Sequence, residues 1–141
     1  MSEPWRIVIR APGGPEVMER ETFDPGVPGP GEARVKITAS GVNFIDTYHR
    51  SGLYPLALPA GLGNEFAGVI ETVGSDVKGL HPGQRVAARM NRPGSYATHA
   101  VLGVDELFPL PDDISDEIAA AASLKGLTAW MLLEKCRRLQ P

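Results

Sequence analysis

The stretch GVNFIDTYHRSGLYPLALPAGLGNEFAGVIETVGSDVKGLHPGQRVA, residues 41–87, decides the fold of this chain. In its first part, Phe44 and Tyr48 are four residues apart and Gly52 follows, which predicts one or two turns of helix that end at a glycine. In its second part, the apolar run over residues 66–73 predicts a buried strand. The stretch therefore predicts a short helix and a core strand, joined by a loop rich in proline and glycine.

The sequence around this stretch is mostly β. Residues 33–40 alternate apolar and polar side chains, which is the period of a half-buried strand. Other short strands are predicted over residues 5–10, 17–23, 84–89, 95–102 and 106–110, the first two joined by a Pro-Gly-Gly-Pro turn. Many short strands separated by glycine and proline favour a partly closed barrel.

The end of the chain switches to helix. Ser115 precedes Asp116 and Glu117, which predicts a cap followed by carboxylates in the first helical turn. Over residues 127–133 apolar side chains cover more than one helical face, so this helix needs extensive burial. Cys136 lies at a helical interval from these residues and is predicted to be a small buried side chain.

Composition excludes several classes of protein. The chain has 141 residues, of which 43% are hydrophobic, which is enough for one core and leaves no room for a second domain. A net charge of -3 argues against a nucleic-acid binder. A single cysteine excludes an intrachain disulfide and a metal site of several cysteines. No stretch at the N-terminus is apolar enough for a signal or a membrane span, so we expect a cytoplasmic protein.

Residues 41–87 resemble the catalytic-domain core of the medium-chain dehydrogenases and reductases. In the zinc alcohol dehydrogenases of that superfamily, a Cys follows the Gly-Val step and a His lies in a Gly-His-Glu triplet. This chain has Asn43 and Asn64 in those places and Lys125 near the place of a third ligand. Amides and a protonated amine are poor zinc ligands. The pattern therefore resembles the zinc-free quinone oxidoreductases, the zeta-crystallin-like branch, and we expect no bound metal.

The resemblance covers nearly the whole chain and implies a domain organisation. It implies a GroES-like, partly open β-barrel over residues 1–123 and a connector helix over residues 124–141 that leads toward a nucleotide-binding domain. No GxGxxG loop occurs, so we expect the Rossmann domain to be absent from this chain. The chain is then a truncated enzyme, inactive alone, whose exposed final helix favours a homo-oligomer.

The resemblance also implies site residues. Asn43 and Asn64 are candidates for hydrogen bonds to the cofactor, and Tyr48 for lining the cleft where the nicotinamide and the acceptor meet. Tyr54, beside Pro55 in a loop, is the candidate catalytic residue because a phenol can stack and also deliver a proton, with water as a competing donor. The alternatives are a helix N-cap for Asn43 and ordinary core aromatics for both tyrosines.

Two further side chains have weaker assignments. Thr128 is predicted, by resemblance, to contact the nicotinamide side of the cofactor; the alternative is a hydroxyl that bonds back to a helical carbonyl. Glu65 lies just before a buried strand, where an unpaired charge would be costly. We therefore expect Arg85 or Arg89 to pair with it.

Loss of the metal favours particular substrates. Without a Lewis acid, reduction of a simple ketone loses transition-state stabilisation, whereas a quinone or conjugated carbonyl delocalises the incoming charge. The leading hypothesis is the substrate-binding half of a quinone oxidoreductase with hydride transfer from NADPH, the cofactor that the resemblance implies. The alternatives are a zinc-free enoyl reductase of the same superfamily and a non-catalytic GroES-like binding module.

Overall fold

Two antiparallel sheets and two helices make up residues 3–136, the part of the chain that this computed structural model describes. The strands are β1 (Trp5–Ile9), β2 (Glu19–Thr22), β3 (Glu32–Ser40), β4 (Ala60–Gly61), β5 (Glu65–Val73), β6 (Arg85–Arg89), β7 (His99–Gly103) and β8 (Leu107–Pro109). The helices are α1 (Phe44–Ser51) and α2 (Asp116–Trp130), and α2 continues as a π-helix over Met131–Cys136. The prediction of a mainly β chain with helices at its C-terminal end is confirmed.

The strands form two open sheets. The smaller has the order β2-β1-β4 and the larger β7-β3-β5-β6-β8, with every neighbouring pair antiparallel. Neither sheet closes on itself. The structure therefore confirms a partly open β-barrel.

Strand β1 connects the two sheets through residues far away in sequence. The Trp5 N–H donates to Thr98 Oγ1 at 3.0 Å, the Thr98 N–H to the Trp5 carbonyl at 2.9 Å, and the Ile7 N–H to the Tyr96 carbonyl at 2.7 Å. A single bridge also pairs Arg6 with Ala97. The predicted strand over residues 95–102 starts only at His99, because residues 96–98 bond to β1, although the Thr98 carbonyl still accepts the Ile37 N–H of β3 at 2.8 Å.

The first hairpin also differs from its prediction. Residues 17–23 were expected to be one strand, but Pro15–Val17 is a 3-10 turn and β2 begins at Glu19. Proline favours the first position of a helical turn because its φ is already fixed and it has no N–H to lose. The Glu16 carboxylate supports the turn by accepting the Gly14 N–H at 3.0 Å.

Both faces of the larger sheet are covered, by different kinds of side chain. On one face Val35, Phe66 and Val86 belong to the main apolar cluster and are fully buried. On the other face Ala67 and Ala87 contact Ala119 and Ala120 of α2. Adjacent residues of β5 thus face opposite sides, as the two-residue period of a strand requires. The small alanine side chains let α2 approach the sheet closely.

The beginning of α2 is fixed by a cap and an ion pair. Ser115 Oγ accepts the Ile118 N–H at 3.3 Å, which confirms the predicted cap. The Asp116 carboxylate accepts hydrogen bonds from Thr38 Oγ1 at 2.6 Å and from Arg85 Nη2 at 2.7 Å. These contacts attach the first turn of α2 to β3 and β6.

We expect this attachment to weaken in acid. The hydrogen bond from Thr38, with the Arg85 guanidinium, lowers the pKa of the Asp116 carboxyl below its ordinary value. A carboxyl group whose pKa is lowered by folding stabilises the folded protein at pH values above the unfolded-state pKa of that group. This stabilisation is lost as the pH falls through the folded-state pKa. Asp116→Asn should therefore cost about 1 kcal/mol at pH 7 and less below pH about 3. Thermal unfolding at both pH values tests this.

Asp113→Asn is the matched control, since Asp113 is an exposed carboxylate just before the same helix. It should change the melting temperature little at either pH. An Asp116→Asn deficit that is the same at pH 7 and at pH 3 would contradict the proposed titration.

The later turns of α2 leave the sheet. Trp130 is 53% exposed, and Met131, Leu132 and Leu133 are about half exposed. Cys136 is exposed, so the prediction that it is buried was wrong. The physical reason is that α2 buries Ala119 and Ala120 against the sheet and its last turns have no cover within residues 3–136. Residues 137–141 of the predicted connector lie outside the described part.

Among the described helices, none has the length and apolar character needed to cross a membrane.

Candidate functional site

Helix α1 presents Asn43 at its N-terminal end. Asn43 is the N-cap, with extended backbone angles, and its own N–H donates to the Asp46 carboxylate at 2.8 Å. Gly52 ends the helix in the left-handed conformation, at φ 82°, as its sequence position predicted. Asn43 is nonetheless only 8% exposed, so this cap lies within the folded body and can also belong to a site.

Asp46 is a buried acceptor for three donors. Besides the Asn43 N–H, it accepts Asn64 Nδ2 at 2.7 Å on Oδ1 and the Tyr96 hydroxyl at 2.7 Å on Oδ2. The residue is 5% exposed. A buried carboxylate is tolerated when several donors replace its lost water, and these three do so.

Glu65 is a second buried acceptor on the other side of Asn43. It is fully buried and accepts Asn43 Nδ2 at 2.7 Å, the Leu124 N–H at 2.5 Å and Lys125 Nζ at 3.2 Å. The prediction that Arg85 or Arg89 would pair with it was wrong. Helix α2 crosses β5 and supplies two of its donors.

The two arginines have other partners. Arg85 binds Asp116 through Nε and Nη2, and Arg89 Nη1 donates to Asn91 Oδ1 at 3.2 Å. Arg85 therefore fixes the start of α2, while Lys125, farther along the same helix, reaches Glu65.

Gly41 makes this approach possible. Its N–H donates to the Glu65 carbonyl at 3.1 Å. A Cβ built on Gly41 would overlap both the Ala120 carbonyl oxygen and the Glu65 side chain. The close contact between α2, Glu65 and the start of α1 therefore requires a residue without a side chain.

Asn43, Asp46, Asn64, Glu65, Tyr96 and Lys125 thus form one hydrogen-bonded group, which we call the carboxylate–amide network. Sequence reasoning missed Asp46 and Tyr96. Asp46 had a usable signal, since an acidic residue three positions after a helix-opening Asn has the spacing of a capping box. For Tyr96, the neighbouring sequence contains no signal that predicts its place in the network.

The Tyr96 phenol is a donor and not an acid at neutral pH. Burial raises its pKa above the ordinary value, and the hydrogen bond to Asp46 raises it further. The ionised form would also face the Asp46 and Glu65 carboxylates. Tyr96 therefore stays protonated and holds Asp46 in place.

Tyr48, on a different face of α1, contacts Tyr54, which lies in the loop after the helix. Their ring centroids are 5.2 Å apart, and Phe44 adds an edge-to-face contact with Tyr48 at 5.5 Å. The Tyr54 N–H donates to the Tyr48 carbonyl at 3.1 Å. Within residues 3–136 neither tyrosine hydroxyl makes a hydrogen bond, and Tyr54 is 49% exposed. This aromatic patch, Phe44, Tyr48 and Tyr54, can stack on a planar ligand.

Thr128 lies apart from the network. Its hydroxyl donates to the Leu124 carbonyl one turn earlier, at 2.7 Å, which is the alternative considered for it. The residue is exposed on α2. A cofactor contact for Thr128 stays a prediction.

The three places that resemble zinc-ligand positions do converge. Asn43 is linked to Asn64 through Asp46 and to Lys125 through Glu65. Among residues 3–136 there is no group of three or more His, Cys, Asp or Glu side chains able to hold a metal. The three places hold two amides and an ammonium, which do not suit zinc, and the two carboxylates between them are already engaged by hydrogen-bond donors.

A cavity of about 270 Å³ reaches the network from the side. Asn43, Asp46, Arg50, Leu62 and Tyr96 are among the residues that line it. It lies along the face of α1 that carries Asn43, Asp46 and Arg50, whereas Phe44 and Tyr48 project from another face. Small molecules therefore have access to Asn43 as well as to the aromatic patch.

Comparison with known proteins agrees with this architecture. Residues 29–112, more than half of the chain, match the family described as alcohol dehydrogenase GroES-like domain. A quinone oxidoreductase of Pseudomonas aeruginosa is 50% identical over 136 residues, covering 96% of this chain and 42% of that protein. A 2-haloacrylate reductase of a Burkholderia species is 38% identical over 140 residues, covering 95% of this chain and 42% of that protein.

Solved structures give the same result. The Escherichia coli quinone oxidoreductase complexed with NADPH superposes with a TM-score of 0.94 at 45% identity, covering 97% of this chain and 42% of that one. The chain thus spans about 42% of the length of these relatives. It belongs to the alcohol dehydrogenase GroES-like domain family, in the quinone oxidoreductase branch of the medium-chain dehydrogenases and reductases.

Proposed function

We propose that this chain is the acceptor-side half of an NADPH-dependent quinone oxidoreductase, in which a hydride passes from the nicotinamide to a quinone. One observation carries the proposal: a buried carboxylate–amide network occupies the converged ligand places, and an exposed aromatic patch lies beside it. The names of the relatives and the NADPH in the Escherichia coli structure support it.

The residues fit a nicotinamide and a planar acceptor. Asn64 Oδ1 accepts no hydrogen bond from residues 3–136, so it is left as an acceptor for a ligand. NADPH, when bound, supplies the hydride. In this proposal Asn43 and Asn64 orient the nicotinamide, Tyr48 stacks on the acceptor, and the Tyr54 hydroxyl delivers the proton that completes a hydroquinone, with water as the competing donor.

Other parts of the proposal follow from the resemblance. Residues 124–141 act as a connector toward a nucleotide-binding domain, and the enzyme works in the cytoplasm as a homo-oligomer. Most of the binding energy for the dinucleotide would come from a pyrophosphate site at a helix N-terminus. The glycine-rich loop of such a site does not occur in these 141 residues. We therefore expect the chain alone to bind NADPH weakly and to reduce no quinone.

A chimera tests this function. The matching 136-residue segment of the Pseudomonas aeruginosa relative is replaced by the corresponding part of this chain. The chimera should oxidise NADPH when a quinone is added, followed at the nicotinamide absorbance, and the 141-residue chain alone should not. Tyr54→Phe should lower the chimera's rate by roughly 10- to 100-fold. A positioned general acid contributes about 100-fold or more, and water can replace part of that contribution. Asn43→Ala should lower it as well.

Tyr48→Phe is the matched control, because it removes the other hydroxyl of the aromatic patch and keeps both rings. It should have a smaller effect than Tyr54→Phe. Robust quinone reduction by the 141-residue chain would contradict the half-enzyme proposal. A chimera indifferent to Tyr54→Phe would contradict the role of Tyr54.

Reduction of a conjugated carbonyl is the second candidate. It is favoured by the 38% identical relative whose name is 2-haloacrylate reductase. The same chimera, given a panel of quinones and α,β-unsaturated acids and ketones, separates the two by kcat/KM. A chimera that folds and reduces neither class would favour a non-catalytic binding module.

A further inference from the structure

A second cavity, of about 230 Å³, opens between β1, β7 and the loop over residues 90–94 that follows β6. Much of its lining is apolar, including Ile7, Phe23, Met90, Ala100 and Val101. Met90 and Ala100 are each only 8% exposed and belong to the main apolar cluster. No member of the carboxylate–amide network or of the aromatic patch lines this cavity. It is therefore a separate feature of the fold.

The ionisable side chains of this cavity are all basic. Arg6, Arg92 and His99 line it, and no acidic residue does. Two of the three already face a carboxylate outside the cavity. Arg6 Nη2 lies 2.7 Å from Glu21, and His99 Nε2 lies 3.5 Å from Glu71. Their charges are therefore matched by neighbours within the protein.

Arg92 is the basic residue of this cavity that lacks such a partner. Within residues 3–136 its guanidinium makes no hydrogen bond and no ion pair. The Glu106 carboxylate, which contacts the same loop, accepts the Asn91 N–H at 2.8 Å instead. The five N–H donors of Arg92 are thus left for a ligand, at the edge of an apolar cavity.

The loop that carries Arg92 is fixed at both ends. The Met90 N–H donates to the Asn64 carbonyl and the Gly94 N–H to the Gly63 carbonyl, each at 2.8 Å. Both bonds join the loop to the segment just before β5. The position of Arg92 at the cavity is therefore set by the backbone of the folded domain.

These features together define the ligand. A guanidinium binds a carboxylate through two parallel N–H donors, and the single unmatched charge calls for one such group. The apolar lining favours a hydrocarbon or flat body, and the Phe23 ring, with Arg6 5.1 Å from its centroid, offers an aromatic surface. The volume is below the roughly 300–1,000 Å³ of sites for drug-sized ligands, so the ligand must be small.

We propose that this cavity is a binding site for a small carboxylate with an apolar body, and that Arg92 holds the carboxylate. The proposal does not depend on the proposed function, because it uses none of the residues assigned there to the nicotinamide or the acceptor. The hydrogen bond from Met90 to the Asn64 carbonyl nevertheless connects the loop to the network through the main chain. An occupied cavity therefore restrains the segment that carries Asn64.

Two small probes test this on the 141-residue chain itself. Benzoate has the ring and the carboxylate, whereas benzyl alcohol has the same ring and a neutral hydroxyl. Each is titrated into ¹⁵N-labelled protein, and the backbone amide signals of Gly61, Gly94 and Val101 are followed by NMR. Benzoate should shift these signals with a dissociation constant at least about fivefold lower, since a hydrogen bond to a charged group is stronger than one to a neutral group.

A pair of arginine variants then tests the role of Arg92. Arg92→Gln keeps a polar side chain and removes the charge, so the preference for benzoate should fall to within about twofold. Arg20→Gln is the matched control, because it removes the same charge from β2. Arg20 stacks on Trp5, with 4.6 Å to the ring centroid, and does not line the cavity. It should keep the full preference.

Equal affinity for the two probes in the unaltered chain, or no saturable shift with benzoate, would overturn the proposal whatever the variants do. Benzoate shifts confined to Asn43 and Arg50 would place the ligand in the cavity beside the network and would also overturn it. A full preference kept in Arg92→Gln would remove the role of Arg92. An equal loss in both variants would show a general effect of net charge and would contradict a specific site.

Discussion

Glu65→Ala is expected to cost about 1–3 kcal/mol of unfolding free energy, a substantial part of the stability of a domain this size. Removing the carboxylate takes the acceptor away from Asn43 Nδ2 and the Leu124 N–H beneath α2, whereas the exposed Lys125 Nζ keeps the Val42 and Ala121 carbonyls. The Leu124 N–H belongs to α2, so the helix should also detach more readily from the sheet. Urea unfolding followed by circular dichroism measures the loss.

Glu71→Ala is the matched control because it removes the same side chain from the same strand. Glu71 pairs with Arg34 at 3.1 Å, and both side chains are about one-third exposed. A pair of this kind contributes about 0–1 kcal/mol. Equal losses for the two variants would show that burial of Glu65 and its three donors do not matter as proposed.

Gly41→Ala is expected to cost roughly 1–3 kcal/mol or more, although it adds only one methyl group. The new Cβ would overlap the Ala120 carbonyl and the Glu65 side chain, and a backbone atom in a helix cannot move aside as a flexible side chain can. The start of α1 or the whole of α2 must shift instead. Chemical denaturation of the variant gives the loss in stability.

Gly126→Ala should have the opposite sign. Gly126 lies inside α2, and a Cβ built there meets nothing within 4 Å. Alanine in a helix interior is favoured over glycine by about 0.5–1 kcal/mol, so this variant should be more stable than the natural chain. A Gly41→Ala protein as stable as Gly126→Ala would mean that α2 does not approach Gly41 as closely as described.

The elements that were predicted correctly are those whose signals are local. The spacing of Phe44 and Tyr48 with Gly52 predicted α1, and Ser115 predicted the start of α2; caps, turns and periodicity operate within a few residues of each other. The family resemblance then selected Asn43 and Asn64, and the structure joins both through Asp46.

The errors concern partners that are distant in sequence. Glu65 was assigned to an arginine because a buried charge needs a partner, but its partners Leu124 and Lys125 are 59 and 60 residues away on α2. Cys136 was predicted to be buried because its helical face is apolar, yet that face has no cover among residues 3–136. A sequence pattern indicates that a side chain needs burial or a partner. Tertiary packing determines whether it is buried and which residue becomes its partner.

The hydrogen bonds of β1 have a consequence for the order of folding. Trp5 bonds to Thr98 across 93 residues, so the N-terminal strand cannot complete its pairing until the chain has been made past that point. At a translation rate of about 5–20 residues per second, this interval lasts roughly 5–20 s. Closing so long a loop also slows refolding compared with local pairing. The hairpin of β1 and β2, the first part of the fold to be synthesised, is therefore expected to be among the last to dock, and chaperones would meet it without its bonds to residues 96–98.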